Sequence, residues 1–151
     1  MILRWSEQLE QKGLISISAQ KFAKAATIVM WCESNLKTTS KDKLNAQGLF
    51  QIMPKTRQGL GLPEDIRHLS FEDQLEMYEV FLVSSGHLCK VKNSVDLHVI
   101  GFAPSRFSRK VFYPSSVNPH IDYDNNGVLT REDLSIFQNK RIRSNVFIKN
   151  L

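Results

Sequence analysis

Residues 45–54 read NAQGLFQIMP, and Glu33 lies fifteen residues before the glycine of this block, at the end of a long apolar helical run. Within the block, Gly48 permits close backbone approach, Gln51 offers both a hydrogen-bond donor and an acceptor, and Pro54 ends the apolar run. The block therefore predicts one wall of a groove, with Gln51 as a polar group that can contact a ligand.

Glu33 shares a helix face with four apolar residues, which are Phe22, Ala26, Val29 and Met30. A carboxyl on an apolar face loses hydration and holds its proton more tightly. Such a group can donate a proton to a leaving oxygen, so we expect Glu33 to be a general acid. The alternative is a glutamate that ends a helix and faces water.

The Glu33-Ser34 pair and the block at residues 45–54 together resemble the soluble lytic transglycosylase family of lysozyme-like domains, which includes goose-type lysozymes. The resemblance covers about residues 18–107. It implies a mostly α, lysozyme-like α+β fold, in which a small irregular or hairpin region lines the substrate groove. It also implies an enzyme that cleaves peptidoglycan between N-acetylmuramic acid and N-acetylglucosamine. At 151 residues we expect a single domain over 1–151.

The resemblance assigns Glu33 as the single catalytic acid/base, and Gln51 and Met53 as groove-wall residues that contact substrate. Residues 96–105 lie where the family usually has a Tyr-Asn-Ala-Gly motif, and the Phe102-Ala103-Pro104 sequence there resembles a phage-borne variant. The predicted substrate-contacting residues are Ser34, Ser40, Asp42, Gln51, Met53, His98 and Phe102.

Two departures from the family pattern leave the product open. The family needs no second carboxylate, because the N-acetyl group of the substrate stabilises the developing cation and the 6-hydroxyl closes an anhydro ring. The serine usual in the loop after the acid is replaced by Asp42, with Ser40 nearby, and a carboxylate that orients water would give a hydrolytic muramidase. The usual aromatic hydroxyl is also missing, since Phe102 has none and Tyr78 lies on a different predicted helix. An inactive domain that binds glycan or assembles a virion is a further alternative.

Residues 122–133 read DYDNNGVLTRED and fit a twelve-residue EF-hand-like calcium loop. Gly127 takes the sharp turn, and an aspartate closes the loop where a glutamate is usual. The predicted ligands of a structural Ca²⁺ are Asp122, Asp124, Asn126, the Val128 carbonyl, Thr130 and Asp133. The alternatives are a metal-free acidic turn, or a calcium-responsive module in which the Glu33 block is coincidental.

The composition limits the partners. The net charge of +5 suits the anionic cell wall, and no recognised nucleic-acid motif accompanies it. Two cysteines do not define a disulfide framework, and no organic cofactor is expected. The sequence shows no membrane span and no export leader, so we expect carriage in a phage virion with virion proteins as partners, or release to the periplasm and cell wall.

Periodicity and capping residues predict six helical segments, at residues 3–11, 18–33, 55–59, 70–83, 94–103 and 131–140. Ser18, the Ser70 and Asp73 pair, and Ser94 are the predicted caps. Residues 35–53 are predicted to be irregular with a small hairpin, and residues 105–121 show no period.

Overall fold

The computed structural model describes residues 1–114, 116, 118–145 and 148. Among these residues, the six α-helices that can be bounded form most of the fold, which confirms the predicted mostly α, lysozyme-like class. They are α1 (Ile2–Gln11), α2 (Ala19–Ser34), α3 (Pro54–Gly59), α4 (Phe71–Ser84), α5 (Ser94–Phe102) and α6 (Arg131–Arg143). None of these helices is both long enough and apolar enough to cross a lipid bilayer.

Helix α2 is the centre of the core and contacts α1, α5 and α6. The apolar face predicted beside Glu33 is fully buried, with Phe22, Ala26, Val29 and Met30 all at most 1% exposed. Burying a side chain the size of Phe or Met contributes roughly 1.5–3 kcal/mol. This face therefore fixes α2, and with it the direction in which Glu33 leaves the core.

Two of the three predicted helix caps are confirmed. Ser18 caps α2, and Ser70 with Asp73 forms the predicted capping box of α4. The predicted cap of α5 is wrong, because the Asn93 side chain accepts from the Asp96 N–H while Ser94 is the first helical residue. The Ser94 hydroxyl instead donates to Gln138 on α6, at 2.7 Å.

A two-stranded antiparallel sheet lies in the region for which no element was predicted. Strand β1 (Val111–Pro114) pairs with β2 (Val128–Thr130), and Tyr113 faces Leu129 in the register. Phe112 of β1 is fully buried. A strand of four residues is too short to show a period, so its formation depends on pairing with a segment that lies within the predicted calcium loop.

The loop between α2 and α3 forms the predicted hairpin-like wall, through isolated bridges of Gln47 with Lys41 and with Ile52. Gly48 has φ +78° and its amide donates to the Ser40 carbonyl. The buried Arg57 guanidinium donates to the carbonyl oxygens of Asn45, Ile52 and Glu64. Burial lowers the pKa of Arg57. These contacts hold the wall in one conformation.

Candidate active site

A groove of about 610 Å³ runs between the end of α2, the wall loop, α5 and the region of β1 and α6. Glu33 lines this groove together with Gln51 and Met53 from the wall, and Phe102 and Tyr113 lie on the other side. The structure thus brings the predicted acid and the predicted wall residues to one cavity. Its mixed apolar and polar lining is typical of a site for a sugar-sized ligand.

Glu33 extends from the last turn of α2 out of the core and into the groove. Its side chain is 28% exposed, so it neither faces bulk water nor is fully buried. Its Oε1 atom lies 2.6 Å from Nε2 of His98 on α5. One carboxyl oxygen is therefore anchored by the protein. That Glu33 acts as a general acid stays a prediction.

His98 lies behind Glu33 and is only 3% exposed. Its Nδ1 atom is 3.0 Å from the amide nitrogen of Gln138 on α6. Both ring nitrogens are thus engaged by protein groups. The ring borders the groove, but a sugar finds no free ring nitrogen there, so the predicted substrate contact of His98 is limited to van der Waals contact.

Ser34 and Ser40 serve the wall rather than the groove. Ser34 is 3% exposed, and its hydroxyl lies 2.9 Å from the carbonyl oxygens of Met30 and Leu49. The predicted substrate contact of Ser34 is wrong, because its hydroxyl faces inward and links α2 to the wall. Ser40 is not among the described residues that line the groove, and its backbone carbonyl accepts from Gly48.

The other predicted contact residues do line the groove. Gln51 adopts φ +48° and donates its side-chain amide to the Gly48 carbonyl at 2.9 Å. Met53 is 42% exposed, and Phe102 contacts Tyr113 edge to face at 5.6 Å. Asp42 is exposed, and its Oδ1 atom accepts from the backbone amides of the turn at Leu44 and Ala46. Their roles toward substrate stay predictions.

The Tyr78 hydroxyl lies beneath a residue that lines the groove, Gly101, and sequence reasoning missed this position. Tyr78 of α4 is fully buried and stacks on Phe50, with ring centroids 3.4 Å apart. Its hydroxyl lies beneath Gly101 and has no hydrogen-bond partner among the described residues. Burial, and then the charge of Glu33, raise the pKa of Tyr78. In the sequence, Tyr78 lies on a different predicted helix from Phe102, so its position beneath the groove could not be predicted.

Cys32 borders the groove next to Glu33 in sequence but is 6% exposed. Burial and the negative charge of Glu33 raise its pKa to about 12, against the opposing effect of Arg141. A thiol in this state is a poor nucleophile. Arg141 donates to Asn35 at 2.7 Å and to backbone carbonyls at the end of α2, which joins α6 to the helix that carries Glu33.

The predicted calcium loop brings three carboxylates together, since ligand oxygens of Asp122, Asp124 and Asp133 lie within 4.8 Å of one another. Gly127 has φ +84° and Leu129 is buried, as the loop pattern predicts.

The other side chains of the loop are used locally. The Asn126 side-chain oxygen Oδ1 accepts from the Val128 amide, and the Thr130 hydroxyl donates to Asp133. Asp133 and Thr130 also form the capping box of α6. The part of the chain that the structure describes has only a 3₁₀ turn, Pro119–Ile121, where a full hand has an entering helix. The binding of a cation by these three carboxylates stays a prediction.

Residues 18–76 match the family model of the Transglycosylase SLT domain. No curated protein and no solved structure shows a significant match to this chain. The matched segment contains Glu33 and the whole groove wall, and it supports the similarity to lysozyme-like transglycosylases that these two blocks indicated. It ends before His98 and the predicted calcium loop, so it is shorter than the resemblance over 18–107.

Proposed function

We propose that this protein is a peptidoglycan-cleaving lytic transglycosylase in which Glu33 is the single acid/base. The observation that carries the proposal is the placement of Glu33: its carboxyl is partly exposed in the groove, and one oxygen is held by His98. The other oxygen is then free to serve a substrate. The family match over residues 18–76 supports the same activity.

The chemistry requires one proton to leave Glu33 and one to return. Glu33 gives its proton to the oxygen that joins the two sugars, and the bond between this oxygen and C1 of N-acetylmuramic acid breaks. The N-acetyl group stabilises the cation at C1. The 6-hydroxyl of the same sugar then attacks C1 and closes an anhydro ring, and its proton passes back to Glu33. No water is consumed.

Apolar side chains at the mouth of the groove suit a carbohydrate strand. Leu44 is 70% exposed and Met53 is 42% exposed, and both line the groove. We infer that these two side chains pack on the C–H faces of the sugars, while Gln51 provides hydrogen bonds. The fixed wall geometry would keep the scissile bond beside Glu33.

The direct test compares Glu33→Gln with Glu7→Gln on purified sacculi. Glutamine at position 33 can still accept the hydrogen bond from His98, so the fold is expected to survive while the transferable proton is lost. Glu7 is exposed on α1, outside the groove, and its substitution makes the same change in net charge. Release of soluble muropeptides should stop in the first variant and persist in the second. Equal release by both variants would contradict the proposal.

Asp42 favours a second candidate, a hydrolytic muramidase. The residue is exposed at the same groove, and the hydrogen bonds to the turn at Leu44 and Ala46 use only its Oδ1 atom. Its second oxygen can orient a water toward C1. Asp42→Asn preserves an acceptor for the turn and removes the charge. A large loss of activity in this variant would favour hydrolysis, and unchanged activity would favour the anhydro product.

We also propose that the loop at residues 122–133 binds Ca²⁺ as a structural ion. Asp122, Asp124 and Asp133 would supply the charged oxygens, and oxygen-rich, flexible loops are the sites that Ca²⁺ prefers. The ion would fix the loop between β1 and α6.

Calcium added at about 100 times its Kd should raise the free energy of unfolding by about 2.7 kcal/mol. Titration calorimetry gives the Kd for calcium, and thermal melting in calcium and in chelator gives the stabilisation. Asp124→Asn should remove the effect, whereas Asp73→Asn, in the α4 cap, should keep it. A calcium response that survives Asp124→Asn would contradict the site.

A further inference from the structure

We propose that His98 is a positioning residue for Glu33, and that Gln138 fixes it as a neutral imidazole with its proton on Nε2. The inference rests on the proposed function, because it explains how the acid is held for catalysis. It goes further by linking the acid to α6, which lies outside the segment that matches the family.

The chain of contacts begins at a backbone carbonyl. The Gln138 side-chain nitrogen lies 3.1 Å from the Ser94 carbonyl oxygen and 3.0 Å from His98 Nδ1. The Gln138 side-chain oxygen lies 2.7 Å from the Ser94 hydroxyl. His98 Nε2 completes the chain at 2.6 Å from Glu33 Oε1. Gln138 is 3% exposed, so water does not replace these partners.

The Ser94 carbonyl decides the orientation of the amide. A carbonyl oxygen only accepts, so the Gln138 atom that faces it must be the NH₂ group. The second hydrogen of that NH₂ group points to His98 Nδ1, which must then accept and carries no proton. A neutral ring without a proton on Nδ1 has it on Nε2. His98 therefore donates to Glu33.

This arrangement suits a group that gains and loses a proton. The Nε2–H donor can bond to Oε1 whether Glu33 is a carboxylate or a carboxylic acid, because that oxygen accepts in both forms. Glu33 can thus keep one orientation through the cycle and present Oε2 to the substrate. A second proton on His98 would place a hydrogen at Nδ1 against the NH₂ hydrogens of Gln138.

The other ionisable groups around the pair lie on α2 itself and on the segments packed around the groove. These groups are Cys32, Asp42, Tyr78, Tyr113, His120 and Arg141. No described hydrogen bond joins any of them to Glu33 or to the His98 ring, so the direct contact of Glu33 with an ionisable side chain is the one with His98.

The test that needs no activity is ¹⁵N NMR of the imidazole rings. His98 signals are assigned by their loss in His98→Gln, and the exposed His68→Gln serves as the matched control. The wild type should show His98 neutral and protonated on Nε2 near pH 7. In Gln138→Glu an acceptor faces Nδ1, so Nδ1 should become protonated. A wild-type ring protonated on Nδ1, or a ring unchanged in Gln138→Glu, would overturn the proposal.

The functional readout separates positioning from binding. His98→Leu should lower the rate of muropeptide release by about 10²-fold, since misplacing a catalytic group by about 1 Å costs this much. The fraction of His98→Leu protein that cosediments with sacculi should equal that of the wild type. His98→Gln, whose side-chain amide can donate to Glu33, should recover part of the rate of muropeptide release. An unchanged rate in His98→Leu would refute the positioning role. Should the wild type release nothing, the proposed function fails while the NMR result still decides the tautomer.

Discussion

Replacing Gly48 with alanine tests how the groove wall is built. Gly48 has φ +78°, and an added Cβ would lie 2.5 Å from the side-chain oxygen of Gln74 and 3.0 Å from Ile66 Cδ1. The Gln74 side chain cannot give way freely. The Gln74 oxygen accepts from the Leu49 amide at 2.9 Å, and its nitrogen donates to the Ile66 carbonyl at 2.7 Å.

Two costs add up in Gly48→Ala. A non-glycine residue in the left-handed region costs about 1–2 kcal/mol. Moving the Gln74 oxygen leaves the buried Leu49 amide without an acceptor, which costs about 1–3 kcal/mol more. We therefore expect the free energy of unfolding to fall by about 2–5 kcal/mol. Muropeptide release should fall with it, because the wall that carries Gln51 is displaced.

Gly61→Ala is the matched control. Gly61 has φ +66°, and nothing lies within 4 Å of the position that an added Cβ would take. The free energy of unfolding of this variant should fall only by the backbone cost of about 1–2 kcal/mol. Urea denaturation followed by circular dichroism measures the free energy of unfolding of both variants. Equal losses in the two variants would refute the reasoning, since the contact with Gln74 would then contribute nothing.

Three further predictions concern single side chains. Ser34→Ala should lower the free energy of unfolding by about 1–3 kcal/mol in urea denaturation, because the Leu49 carbonyl loses its bond to a buried hydroxyl. Cys89, which is exposed, should react with a thiol reagent in the native state at about pH 8, whereas Cys32 should react only after unfolding. Tyr78→Phe should leave stability near pH 7 unchanged or raise it by about 1 kcal/mol, since the hydroxyl lacks a partner among the described residues. The pKa of Tyr78 in the folded state lies above the unfolded value of 10.0. Above pH 10 the free energy of unfolding of the wild type should therefore fall by up to about 1.4 kcal/mol per pH unit through this group, whereas that of Tyr78→Phe should not.

The sequence predicts those parts of the fold that depend on neighbouring residues. Ser18 and the Ser70 with Asp73 pair start helices through bonds made within one turn, so pattern alone locates α2 and α4. Ser94 shows where this fails. Asn93 and Ser94 are both able to cap α5, and the choice is made by Gln138, which lies 44 residues away and takes the Ser94 hydroxyl. Tertiary contacts of this kind leave no local pattern.

The same distinction holds at the groove. Glu33 and the wall at residues 45–54 could be predicted because their residue types carry the chemistry and the family pattern. The partner that holds Glu33 could not be identified, since His98 and Gln138 lie on two helices that only packing brings together. Ser34 was misassigned because a serine next to the acid in sequence points inward, toward the Leu49 carbonyl, when Glu33 points outward.

Mass spectrometry of peptidoglycan digested by the wild-type protein tests the central claim most directly. If Glu33 acts alone as acid/base, the fragments should end in 1,6-anhydro-N-acetylmuramic acid, and Asp42→Asn should give the same ends. Reducing N-acetylmuramic acid ends that disappear in Asp42→Asn would contradict this mechanism and assign the groove to a hydrolase.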